Sequence, residues 1–240
     1  MCGRFVATTD SALLAVRLDA IDETGQRFAR PNYNVAPTTT IAAVVARHEE
    51  PGDTPDRRIR GMRWGLLPPW VKADADGTPL AKSLLINARA ETLTSSPAFR
   101  SAARRQRCLI PMDGYYEWMP NPDTPDGKKT PKTPFYLYRR DGSPLLVAGL
   151  WSAWRLDEAS APMLTCTIVT TDAVGGLAGI HNRMPLMLAE HDWDRWLSPD
   201  APAPDDLLAG RADISDIAIR EVSRLVNRVA NNGPELLEPA

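Results

Sequence analysis

A chain of 240 residues with 43% apolar and 24% charged side chains suits one large domain or two small ones, and is long enough to bury a sizeable core. No apolar run approaches the roughly 20 residues of a membrane-spanning helix, and the N-terminus lacks a charged-then-apolar signal pattern, so no membrane partner and a cytoplasmic location are expected. The net charge of −2 is not that of a generic nucleic-acid coat protein, and three cysteines (2, 108, 166) with three histidines (48, 181, 191) argue against a disulfide framework or a Cys/His zinc site.

The chain opens MCGRF. Removal of Met1 would make Cys2 the first residue and place an α-amine and a thiol on adjacent carbons, a pair of nucleophiles that no internal residue offers. Otherwise Cys2 is an inert small hydrophobe. SALLAVRLDAI (11–21) has helical spacing, with Asp10 or Ser11 as its cap. TTIAAVVAR (39–47) and RIRGMRWGLL (58–67) read as strands around a Pro/Gly/Asp loop. SLLINARAETL (83–93) starts strand-like and turns polar, and SPAFRSAARRQR (96–107) reads as a helix with Ser96 as cap and Pro97 at its first position. CLIPMDGYYEWM (108–119) reads as a strand interrupted at Pro111 and at Asp113-Gly114, and the proline-rich tract 120–133 as a surface excursion. PFYLYRR (134–140), PLLVAGLWSAW (144–154) and MLTCTIVTT (163–171) are three further strands, EHDWDRWL (190–197) a short helix, and IAIREVS (217–223) a last strand. Strands outnumber helices and do not alternate with them. The expected class is therefore α+β: a curled, largely antiparallel, barrel-like sheet flanked by short helices, in one domain over residues 2–240.

Polar residues inside apolar runs carry the chemical information. In INARAET, Asn87, Arg89 and Glu91 share one face if the strand persists. Asn87 then reads either as a strand-end cap or as an amide beside a cation. Glu117, between aromatics in DGYYEW, is a candidate general acid or a carboxylate on the wet face of a half-buried strand. His181 follows a glycine-rich turn and precedes Arg183, as a structural or a catalytic imidazole. Trp64 belongs to the core, while Trp70, after two prolines, either closes the core or stacks on a base. The basic runs 57–63 and 99–107 are solvated faces or a local phosphate groove.

In order, MCGRF, YNVAP (33–37), RWGLLPPW (63–70), INARAET (86–92), DGYYEW (113–118), GIHNRMP (179–185) and VSRLVNRVANNGPELLEP (222–239) resemble the SOS-response-associated peptidase family across the whole chain. The resemblance implies a single α+β domain, loss of Met1, and covalent capture of abasic sites in single-stranded DNA through a thiazolidine on Cys2. It implies catalytic roles for Cys2, Asn87, Glu117 and His181. It also implies DNA contacts from Arg4, Asn34, Pro37, Trp70, Arg89 and Arg183, with no cofactor or metal, and a monomer. Some relatives carry two consecutive tryptophans where this chain has Trp70 followed by Val71, so the wedge against a duplex is differently built here. An N-terminal-cysteine hydrolase and a noncovalent reader of modified bases are the alternative readings.

Overall fold

Apolar runs rich in Val, Ile and Thr fold as strands. The computed structural model describes residues 2–25, 27–28, 30–121, 132–210 and 212–240. Its strands are β1 Arg4–Ala7, β2 Ala20–Asp22, β3 Asn32–Val35, β4 Thr40–Arg47, β5 Asp56–Trp64, β6 Asn87–Arg89, β7 Arg107–Met112, β8 Gly114–Met119, β9 Thr133–Arg139, β10 Leu145–Trp154, β11 Met163–Asp172, β12 Arg183–Pro185 and β13 Ile217–Glu221. The α-helices are α1 Ser11–Leu18, α2 Arg100–Arg105, α3 Trp193–Leu197 and α4 Asp205–Ala209.

Strands β11, β10, β7, β4 and β5 pair antiparallel in that order. β5 then returns to β11 in parallel, at Thr165↔Arg63 and Cys166↔Trp64, and closes a five-stranded barrel. Closure leaves no free edge among these five strands. The inward face is filled by Ile41, Val45, Met62, Trp64, Cys108, Ile110, Val147, Cys166 and Ile168. α1, α2 and α3 cover the outside through Leu14, Leu18, Ala102, Ala103, Trp193 and Trp196.

A second sheet, in the order β13-β9-β8-β1-β3, lies against the barrel core. Alternation splits β8 between two layers. Tyr115 joins Phe5 and Leu137 in the barrel's apolar cluster, while Tyr116 packs outward with Val6 and Tyr136 under Val222, Val226 and Leu236 of the C-terminal segment. Phe5 meets Trp64 with ring centroids 5.2 Å apart, which fixes β1 against the barrel. Gly114 permits the close pairing of β8 and β9. A Cβ there would stand 2.5 Å from the Tyr136 ring and 2.6 Å from the Leu137 carbonyl.

The architecture matches the class expected from sequence, with local corrections. Asp10 is the cap of α1 and accepts from the Ala12 N–H at 2.7 Å. The helix expected over 96–107 begins only at Arg100, because Ser96–Phe99 form a turn closed by Phe99 N–H to Ser96 C=O. Pro111 does not interrupt its strand. β4 pairs with β7 only at Val44↔Leu109, so no ladder bond is demanded of the proline nitrogen. Thr133, placed in the surface tract by sequence, starts β9, and positions 122–131 of that tract lie outside the described residues. The strand of INARAET ends at Arg89, and Glu91 falls in the 3-10 turn Ala90–Thr92 rather than on a shared strand face.

Candidate active site

β1 carries the N-terminus in between the two sheets. Cys2 precedes the strand and is fully buried in the cluster of Phe5, Trp64 and Tyr115. Asn87 opens β6, whose parallel pairing with β11 sets it opposite Ile168. Its Nδ2 donates to the Cys2 carbonyl at 2.9 Å. Its Oδ1 is buried and has no hydrogen-bond partner among the described residues. One end of the amide thus holds the Cys2 backbone, and the other offers an acceptor beside it.

Glu117 is 4% exposed, on the face of β8 that also carries Tyr115, so it is not a carboxylate on a wet strand face. Burial first, and then the Glu117 charge, push the Cys2 thiol far above its usual range. A sulfur so placed keeps its proton at neutral pH, with a carboxylate within electrostatic reach. His181 follows the 3-10 turn Gly175–Gly179, and its neighbours Leu177 and Ile180 belong to the cluster that holds Cys2. Its Nδ1 accepts from the Arg183 backbone N–H at 2.9 Å, which leaves the proton of the neutral ring on Nε2.

The six residues expected on DNA have different settings. Trp70 is 57% exposed beyond the Pro68–Pro69 corner. Val71, beside it, has an anchoring part: its N–H donates to Pro68 C=O, and its carbonyl accepts from Trp154 Nε1 at 2.7 Å. Pro37 is half-buried in a turn whose next residue, Thr38, has φ +75° and donates to Trp64 C=O. Arg89 is exposed. Arg4 is half-buried and donates to Asn34 Oδ1 at 2.7 Å and to Val226 C=O at 2.9 Å. Asn34 is buried, and its Nδ2 lies within 2.9–3.2 Å of the carbonyls of Val226, Arg228 and Asn231. These two residues pin the C-terminal segment over β1 and β3. Arg183 binds Glu91 at 2.7 Å, and also Asp172 and the Thr170 carbonyl.

The basic run 57–63 is largely paired within the chain: Arg57 with Asp194, and Arg58 and Arg60 with Glu23. Sequence reasoning passed over Tyr115, whose only signal was its place two residues before Glu117. Among the described residues, no group of three or more His, Cys, Asp or Glu is placed to hold a metal ion, and no helix is long and apolar enough to cross a membrane.

The Glu91–Arg183 pair sets a pH dependence. The bond from Arg183 holds the Glu91 carboxyl below its usual range. Its stabilising contribution is therefore present above the unfolded carboxyl pKa and is lost as pH falls through the lower folded value. Acid unfolding of Glu91→Gln should differ from the parent near neutrality, by under about 1 kcal/mol for a pair whose carboxylate is 44% exposed, and converge with it at low pH.

A closed barrel and a layered sheet meet over a buried second-position cysteine, whose carbonyl is held by the Asn87 amide and whose sulfur feels the Glu117 charge. The chain belongs to the SOS response associated peptidase (SRAP) family, whose model it matches over residues 1–229. It is 36% identical over 244 residues to the abasic site processing protein YoqW of Bacillus subtilis (99% of each chain) and 32% identical over 247 residues to the abasic site processing protein YedK of Escherichia coli (all of each chain). It is also 28% identical to the chicken abasic site processing protein HMCES, covering 78% of that protein. A crystal structure of a Bacteroides thetaiotaomicron protein has the same fold, with a TM-score of 0.80 over all of both chains at 22% identity. A Bordetella bronchiseptica protein gives 0.70 over 92% of this chain and all of that one, at 26% identity.

Proposed function

We propose that this chain captures abasic sites in single-stranded DNA through a covalent thiazolidine on Cys2, protecting them during the response to DNA damage. Several relatives bear the name abasic site processing protein, and the observation that carries the reading here is the buried Cys2 held by Asn87 beside Glu117. Met1 is removed first, freeing the α-amine. Asn87 Oδ1 then accepts from that amine and aims it. Glu117 relays the proton that opens the sugar hemiacetal to its aldehyde. The free amine, with an ordinary pKa of about 7.7–8.0, adds to C1′. The carbinolamine loses water as His181 Nε2 supplies a proton to the departing hydroxyl, leaving an imine. The thiol sulfur adds to the imine carbon, its proton passes to nitrogen, and the five-membered ring closes. One water leaves for each crosslink formed.

Trp70, Pro37 and Arg89 stack on and guide the strand, and Arg89 contacts phosphate as a charge-assisted donor. Arg4, Asn34 and Arg183 shape the same path from their anchored positions, Arg183 with much of its charge offset by Glu91 and Asp172. The test is the intact mass of the matured chain after mixing with a single-stranded abasic oligonucleotide. The expected product is the sum of the two masses less one water, unchanged by heating without a reductant. Recovery of the two unmodified masses, with binding seen only in a native gel, would favour a noncovalent reader. Turnover of peptides with no DNA adduct would favour a hydrolase.

A further inference from the structure

The hydroxyl of Tyr115 is an unexplained polar group at the centre of the molecule. The side chain is fully buried, and its oxygen has no hydrogen-bond partner among the described residues. Tyr115 stands opposite Phe5 in the β1–β8 register and belongs to the apolar cluster of Cys2 and Trp64. Burial first, and then the Cys2 and Glu117 charges, raise the pKa of the phenol, whose ring packs in the same apolar cluster as Cys2. A buried donor left unmade is costly. Phenylalanine would fill this space without that cost, so packing does not account for the oxygen.

The sulfur has the complementary deficit. Burial and the Glu117 carboxylate both oppose its ionisation. The thiolate is the reactive nucleophile, and it gains from a neighbouring donor. One N–H of the Asn87 amide is already committed to the Cys2 carbonyl. We propose that Tyr115 is a positioning residue whose hydroxyl donates a hydrogen bond to the Cys2 sulfur once Met1 is gone, holding the thiolate against the adjacent carboxylate. This rests on the reading of Cys2 as the nucleophile. It adds a donor supplied by this chain's own tyrosine.

The experiment compares matured wild-type protein with matured Tyr115→Phe, both checked for loss of Met1 by intact mass. Each is alkylated with iodoacetamide across the neutral and alkaline range, and peptide mass mapping follows the label on Cys2. Cys108 and Cys166, buried as Cys2 is, serve as internal controls for access of the reagent to the core. The expected result is a Cys2 profile displaced upward by about one pH unit in Tyr115→Phe, equal to about tenfold less reaction at a fixed neutral pH. Superimposable profiles overturn the proposal. Tm of the forms that retain Met1 provides a second readout: Tyr115→Phe should leave it level or raise it, because the hydroxyl has no partner there among the described residues. A clear fall would mean that the hydroxyl already makes a structural bond, and would also overturn the proposal. Alkylation needs no DNA, so the two readings separate. A shifted profile in a protein that fails to trap abasic DNA leaves the tyrosine assignment standing and removes the proposed function.

Discussion

Matured Cys2→Ser should lose its heat-stable adduct with abasic single-stranded DNA, by roughly a hundredfold or more, while a borohydride-trapped adduct persists. The α-amine survives the substitution, so the imine still forms and hydride can fix it. What disappears is the second bond. A serine hydroxyl is a weak nucleophile without an adjacent base, and the only ring open to it exchanges one strong, soft nucleophile for a poor one. The cysteine sulfur needs no encounter, because it is one carbon away from the carbon bearing the imine nitrogen, and such intramolecular advantages reach about 7–11 kcal/mol in well-aligned cases. The substitution also removes little volume from the cluster around Phe5 and Trp64, so folding should survive. Gel analysis with and without reductant separates the two bonds. A reductant-independent adduct of undiminished yield in Cys2→Ser would reject the thiazolidine.

The sequence made the fold legible wherever an apolar run was long. The strands of TTIAAVVAR, PLLVAGLWSAW and MLTCTIVTT all form within a residue or two of their expected ends, because continuous apolar runs have few alternatives to a buried sheet. The short strands β1, β3 and β12 carry too few residues for a period to show, and their pairing is set by partners far away in the chain. Closure of the barrel by β5 on β11 is likewise a long-range fact with no local signal.

The site was legible in part. Asn87 and Glu117 stood out as polar residues in apolar surroundings, and the structure brings both to Cys2. Burial could not be read for the arginines. The side chain of Arg4 turns to Asn34 and the C-terminal segment, and that of Arg183 to two carboxylates. Both contacts join residues distant in sequence, so charge and spacing carried no trace of them. Tyr115 was hidden for the opposite reason: an aromatic in a strand is ordinary, and what marks it is an oxygen with no partner among the described residues.

Arg107 shows how far a basic run can mislead, and it carries the largest expected effect on stability. As part of FRSAARRQR it reads as a solvated face or a phosphate contact, yet it is 2% exposed and, among the described residues, forms no ion pair. Its guanidinium donates instead to five carbonyls: Ala103 and Arg104 in the last turn of α2, Trp196 in α3, and Ser198 and Ala201 just beyond. The last carbonyls of a helix have no partners within it, and here one side chain serves two helix ends while lying 5.8 Å from the Trp196 ring. Burial pushes its pKa down to about 10, which still leaves it charged at neutral pH. Arg107→Met should therefore keep most of the packing but strand several buried acceptors, at a cost of about 4 kcal/mol or more. For a chain of this size that corresponds to a fall in Tm of roughly 10 °C. Arg107→Lys should lie between, because an ammonium has three donors and cannot span the same fork. Urea unfolding measures both. If Arg107→Met unfolds within about 1 kcal/mol of the parent, water must be able to reach those carbonyls, and the joining of α2 to α3 through this one side chain would have to be abandoned.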